Sequence, residues 1–339
     1  MFSRELIRDS LSRCLTDTSE LGLPGGKRGK VRDSYDLGDR ILLITTDRQS
    51  AFDRVLASVP FKGQVLNRVS AYWFENTRDI IPNHVISVPD PCATLAQKCS
   101  VYPVEFIVRG YLTGSTSTSA WTLYSGGSRN ICGNVLPEGM VKNQRFPRPI
   151  VTPTTKSDEH DQSITPEEIV GTGLMTAAEW ERASSAVLSL FRRGVEMAAA
   201  NGLILVDTKY ELGRDANGDM MLIDEIHTPD SSRYWLAGSY EERFSEGREP
   251  ENIDKEFLRL WFRDNCDPYS DEELPGAPDD LVVELSSRYI RLFEMITGME
   301  FEPVPEMDPL DRLRMNLQKS GILQRPEPCL RDGTPSVPE

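Results

Sequence analysis

The stretch that most constrains this chain is residues 203–227. It opens with four apolar residues, Leu203-Ile-Leu-Val206, and runs without a break into Asp-Thr-Lys-Tyr-Glu211. Side chains on a strand alternate faces, so Asp207, Lys209 and Glu211 share one side, while the apolar entry calls for burial. Asn217-Gly218 is the dipeptide of a two-residue hairpin turn, and residues 220–227 supply a return strand. Counting outward from that turn sets Glu211 directly opposite Asp224. Like charges opposed on a sheet lie about 4.5–5.5 Å apart at Cβ and repel. A divalent cation between them removes the cost, and two hard oxygens plus phosphates suit Mg²⁺. The same pattern also describes a solvated acidic hairpin, but the apolar entry weighs against it.

Other polar clusters stand near apolar runs. Asp230-Ser-Ser-Arg233 follows the return strand, and hydroxyls beside an Arg fork are suited to gripping a phosphate. Gly25-Gly-Lys-Arg-Gly-Lys-Val-Arg32 packs four basic residues and three glycines into eight positions. It is not a Walker A motif, yet its glycines let backbone N–H groups approach a polyphosphate, and Lys30 can reach the oxygens. A basic surface patch is the competing reading. Val108-Arg-Gly-Tyr-Leu-Thr-Gly-Ser115 ends another strand, where Arg109 and Ser115 could hold an anion. His84, His160 and His227 show no triad or zinc spacing, and no C-x-x-C pair occurs among the six cysteines.

The chain has 339 residues and a net charge of −15, which argues against broad nucleic-acid binding. Any anion site must therefore concentrate Lys and Arg locally. The sequence holds no apolar run of the ~20 residues that span a bilayer and no apolar leader before Asp17, so a soluble, cytoplasmic protein is expected.

Residues 1–18 read as an amphipathic helix, 31–35 and 40–46 as strands, and 62–78 as a helix; 101–111 is a further strand. This β-rich part, with short connections, suits an antiparallel sheet. Residues 113–165 read as a long loop. Thr165-Pro-Glu-Glu168 is a capped helix start, 176–201 a long helix, and 254–265 and 279–297 further helices. The tail after Pro326 reads as polar and loose.

In this order, Gly29-Lys-Val-Arg-Asp33, Thr46-Asp-Arg-Gln-Ser-Ala-Phe-Asp53, Val108 to Ser115, Asp207-Thr-Lys-Tyr-Glu211 and Asp224-Glu-Ile-His-Thr-Pro-Asp-Ser-Ser-Arg233 closely resemble the SAICAR synthetase family. Thr152-Pro-Thr-Thr-Lys-Ser-Asp-Glu-His-Asp161 is similar to a loop of its longer branch. The resemblance implies an α+β fold. A β-rich lobe like the small lobe of kinases (1–115) is followed by an ATP-grasp-like α/β lobe (116–300) and a partly irregular extension (301–339). It implies a ligase of purine biosynthesis that uses ATP, L-aspartate and an aminoimidazole carboxylate ribonucleotide (CAIR), working through an acyl phosphate. It further implies Mg²⁺ on Glu211 and Asp224, and Gly29, Lys30 and Arg32 at the ATP phosphates. Arg109, Ser115, Asp230, Ser232 and Arg233 would contact the ribonucleotide, and Lys209 and Asp207 would line the reacting centre. Thr154, Lys156 and Ser50 are the expected surroundings of the aspartate. The expected state is a monomer or small homo-oligomer. Another carboxylate–amine ligase, a kinase-like phosphotransferase and a non-catalytic nucleotide-binding regulator stay open at this point.

Overall fold

The computed structural model describes residues 3–52, 54–156, 162–253, 256–303 and 307–324. Phe2 of the expected first helix, Asp53, His160 with the rest of 157–161, and the tail after Pro326 lie outside them.

Two five-stranded antiparallel sheets organise the molecule, and its class is α+β, as expected. The first runs in the order Gly26–Arg28, Arg32–Asp36, Arg40–Thr45, Ala93–Gln97, Val85–Asp90. In the second, Leu203–Arg214 is central. Ser100–Tyr111 lies along one edge of it, with Arg145–Thr155 outside. Its other edge is shared by Met220–Ile223 on one half and Ser232–Leu236 on the other. Ser100–Tyr111, though early in the chain, pairs as a strand only within this second sheet among the described residues.

The long helix Ala177–Ala200 covers one face of the second sheet, contributing Val187, Leu190 and Phe191 to the main core. It and the helix Pro166–Gly171 both start with reciprocal capping boxes, Thr176 with Glu179 and Thr165 with Glu168. Helix Lys62–Asn76 packs against helix Asp279–Thr297 in the same core.

Three expectations need correcting. The first helix covers only Arg4–Asp9, because the Ser10 hydroxyl turns back to the Leu6 carbonyl and the chain passes into a 3₁₀ turn, Leu11–Arg13. The loop 113–165 contains the eleven-residue strand Arg145–Thr155. Its prolines at 147, 149 and 153 hide it as a strand, and it is tolerated because it sits at a sheet edge. The extension, expected to be partly irregular, carries the helix Pro309–Lys319, capped by Asp308, which leaves that expectation standing. Its Arg312 and Asn316 grip the buried Asp90 of the first sheet.

The hairpin register is the third correction. Glu211 faces Ile223, and Arg214 faces Met220. The turn is one residue longer than Asn217-Gly218 implies, because the Asp215 carboxylate accepts from the backbone N–H groups of Asn217 and Asp219 and stabilises a wider loop. Asp224 therefore does not oppose Glu211. It has φ 66° and ends the strand.

His227 ties this hairpin to the core. It is fully buried, its Nε2 lies 2.5 Å from the Tyr210 hydroxyl, and its ring meets Trp73 edge-on. Gly194 makes room for it, since a Cβ there would stand 2.5 Å from His227 Cε1. Burial pulls the imidazole down to about 3. The unfolded chain then binds a proton below about pH 6.5 that the native chain refuses, so stability is full above that value and is lost as pH falls towards 3. By pH 5 the loss is about 2 kcal/mol. The stability gap between wild type and His227→Asn should therefore narrow by about that amount between pH 7.5 and 5 in denaturant unfolding. A gap that does not change with pH would show that His227 takes a proton in the native state.

Candidate functional site

The charged face of Leu203–Arg214 is the axis of the site. Its alternate positions carry Asp207, Lys209 and Glu211, spanning about 13 Å at strand spacing. Each is matched by opposite charge. Arg233 donates to Asp207 at 2.6 Å, with Arg109 at 4.0 Å. Lys209 lies 2.6 Å from Glu105 and 3.2 Å from Glu211. Lys156, just past the outer strand Arg145–Thr155, pairs with Glu211. Burial pushes the Lys209 ammonium down, but Glu211 and Glu105 outweigh it and hold the group above its ordinary value. Lys209 is thus a fixed cation and not a base.

At the Glu211 end a cleft of about 530 Å³ opens between the two sheets, within the size range of small-molecule sites. Ile41, Leu43, Val101 and Ile223 give it apolar walls. Lys27, Arg32, Lys98 and Lys156 bring cations, and Glu211 and Asp224 bring carboxylates. This suits a flat ring bearing a polyanion. Arg32 pairs with Asp224 and reaches Glu225 at 3.5 Å. Withdrawal from water pushes the Asp224 carboxyl up, yet Arg32, Lys209 and Lys156 together hold it below the usual range. On the cleft wall, burial holds the His84 imidazole at about 4, hence neutral. Glu211 and Asp224 are the hard oxygen donors able to hold a metal here. Among the described residues no cluster of three or more His, Cys, Asp or Glu forms a metal cage. That donor set fits an ion such as Mg²⁺, which completes its shell with phosphates and water.

At the Asp207 end lies a smaller pocket lined by Gly114, Ser115, Lys142 and Arg233. Gly114 has φ 104°, and a Cβ there would come 2.5 Å from Ser119 Cβ, so the loop closes tightly around the pocket. Buried Arg109 is steered by Thr152 Oγ1 at 2.8 Å, and burial lowers the pKa of its guanidinium against the pull of Asp207.

The structure thus gathers Asp207, Lys209, Glu211, Asp224, Arg109, Arg233, Ser115, Gly29 and Arg32 around one axis. The other expected residues have the following partners. Lys30 stands at the tip of the Gly29–Arg32 turn, where its carbonyl accepts from Arg48 Nε. The Ser232 hydroxyl is 2.7 Å from Thr208 Oγ1. Asp230 is bound to Lys62. Lys156 lines the cleft, while Ser50 sits opposite Val55 in a separate hairpin and Thr154 pairs with Glu105. Sequence reasoning missed Glu105. Its signal was a lone acid inside Val104-Glu-Phe-Ile-Val108, a position that burial permits only to a paired charge.

The model of the SAICAR synthetase family matches residues 26–275. The phosphoribosylaminoimidazole-succinocarboxamide synthase of Legionella pneumophila (strain Paris) is 60% identical over 309 residues, 90% of this chain and 98% of that protein. The chloroplastic enzyme of that name from Arabidopsis thaliana is 60% identical over 319 residues, 93% of this chain and 78% of that protein. Among solved structures, SAICAR-synthase from Saccharomyces cerevisiae complexed with SAICAR aligns with a TM-score of 0.73 at 31% identity. It covers 85% of this chain and 99% of that one.

Removing the central cation leaves two buried acids facing each other. Lys209→Met should lower unfolding stability by about 1–3 kcal/mol. Adding Glu105→Gln should recover part of the loss, because the orphaned charge is gone. A double variant no more stable than Lys209→Met would show that the pair is energetically idle.

Proposed function

The chain belongs to the SAICAR synthetase family, ATP-dependent ligases that join aspartate to CAIR in purine biosynthesis, and from that premise we propose how its own side chains divide the reaction. The observation that carries the proposal is the run Asp207, Lys209, Glu211, stretched between a nucleotide-sized cleft and an arginine-bearing pocket.

ATP lies in the cleft, its base against Ile41, Leu43, Val101 and Ile223 and its phosphates towards Lys27 and Lys156. The ribonucleotide phosphate sits at Ser115, Arg233 and Arg109, which places the CAIR carboxylate along the strand near Lys209. A carboxylate is a poor acyl donor because its leaving group would be oxide. Transfer of the γ-phosphoryl group to a carboxylate oxygen releases ADP and gives an acyl phosphate. The aspartate amine then attacks the acyl carbon, forming the amide as phosphate leaves. The protein's task is to hold the reactants and neutralise charge. Lys209 does the second, its proton fixed by Glu105 and Glu211. Asp207 keeps the forks of Arg233 and Arg109 aimed at the phosphate. Lys156 can exchange Glu211 for a substrate anion. Glu211 and Asp224 would hold Mg²⁺, which when bound supplies neutralising charge to the transferring phosphoryl group.

Among the described residues, no helix is long and apolar enough to cross a membrane. Relatives include bacterial and chloroplastic proteins; we assign this chain to the cytoplasm, as a monomer or small homo-oligomer.

An ADP-release assay omitting ATP, CAIR and aspartate in turn should show that turnover needs all three. Asp224→Asn should lower kcat about 100-fold or more with the circular dichroism spectrum unchanged; near-normal turnover would remove Asp224 from the metal site. Arg233→Ala should raise the Michaelis constant for CAIR about 10-fold or more and leave that for ATP unchanged. An unchanged constant for CAIR would remove Arg233 from the ribonucleotide site.

A further inference from the structure

We infer that Lys62 and Tyr289 are positioning residues, which set the geometry of the anion-gripping turn by clamping Asp230. This rests on the reading that Arg233 holds the ribonucleotide.

Lys62 is fully buried in the first turn of helix Lys62–Asn76. The position is doubly unfavourable for it. A helix N-terminus repels cations, and removing an ammonium from water costs several kcal/mol. Its Nζ lies 2.7 Å from Asp230 Oδ2. The other carboxylate oxygen of Asp230 is 2.8 Å from the Tyr289 hydroxyl, which itself lies 3.0 Å from Gln49 Oε1. Helix Lys62–Asn76 and helix Asp279–Thr297 thus hold one side chain between them, and the strand Arg48–Ala51 backs Tyr289 through Gln49.

Asp230 sits at the centre of a tight turn. Ser232 N donates to the Thr228 carbonyl at 2.9 Å, and Lys209 N donates to the Ser231 carbonyl at 3.0 Å. Two residues beyond Asp230 the chain enters the strand that carries Arg233, paired with Asp207 in register. The turn is therefore held from behind by Asp230 and from in front by the sheet. Loosening the rear hold lets the Arg233 fork shift, and misplacement by about 1 Å is enough to cost large factors in a positioned reaction. Tyr289 lies beyond residue 275, where the family-model match ends, so the clamp reaches into the C-terminal helices.

Tyr289→Phe keeps the ring and removes the hydroxyl. In the full-length enzyme, ADP-release kinetics should show the Michaelis constant for CAIR raised about fivefold or more, with kcat within about twofold and the constant for ATP unchanged. In an Asp230→Asn background the same change should add nothing further. Lys62→Arg should restore most of the CAIR affinity lost in Lys62→Met. A rise in Arg233→Ala with none in Tyr289→Phe overturns the positioning role alone. If neither variant alters the constant for CAIR, the underlying anion-site reading falls with it. An equal loss across kcat and both Michaelis constants reports general destabilisation, and also overturns the inference.

Discussion

Everything in this site depends on a strand that has to be buried and charged at once. Leu203–Arg214 is the middle of its sheet, so neither edge is open to water. On one face Tyr210 and Leu212 are buried in the main core. On the other, Asp207 and Glu211 are nearly buried too, with Lys209 between them. Charges in such a place are tolerated only when paired and hydrogen-bonded. The pairing requirement recruits Arg109 and Glu105 from the neighbouring strand, Lys156 from just past the strand beyond it, and Arg233 from the strand on the opposite edge. The sheet and the site are one construction.

The mutual neutralisation also explains how a chain of net charge −15 handles anionic substrates. Cations are concentrated where acids hold them, at Asp207, Glu211 and Asp224, and each can be handed to a phosphate or carboxylate without crossing bulk solvent. Preorganised charge of this kind is worth more than mobile surface charge, since little reorganisation accompanies binding. Paired acids lower the cost of waiting: Asp224 and Glu211 hold Arg32 and Lys156 until a polyanion engages those cations instead.

Much of this was legible in residue order. Alternation at 207–211 identified the charged face, because strand period two leaves no other assignment. The capping boxes at Thr165 and Thr176 located two helix starts through local hydrogen bonds alone. Long-range partners were not legible. Lys62 reads as one more polar residue before an amphipathic run, and nothing local announces that Asp230, 168 positions later, neutralises it. The strand Arg145–Thr155 was obscured because proline content reports what a segment cannot donate, not whether its neighbour needs the donation. The hairpin register failed by one residue, since Asp215 can widen a turn that Asn217-Gly218 alone would close.

That one-residue error bears directly on the metal site. In the observed register Glu211 faces Ile223 and Leu212 faces Leu222. A strand continued regularly past Ile223 would set Asp224 across from Tyr210, and cross-strand partners share a face. Tyr210 points into the core. Regular pairing would therefore bury the Asp224 carboxylate among apolar side chains, where it would have to protonate. The chain instead leaves the strand at Asp224 with φ 66° and turns again at His227 with φ 51°. Left-handed backbone at non-glycine residues costs on the order of 1 kcal/mol or more each, and aspartate is among the side chains that bear it best. The strain is offset nearby: His227 packs on Trp73 beside Gly194 and meets Tyr210, while the Tyr234 hydroxyl donates to its carbonyl at 2.8 Å. The break turns Asp224 away from the core to the side of the sheet where Glu211 and Arg32 line the cleft. Two acids that strand geometry would separate are brought to one cleft by a local departure from that geometry.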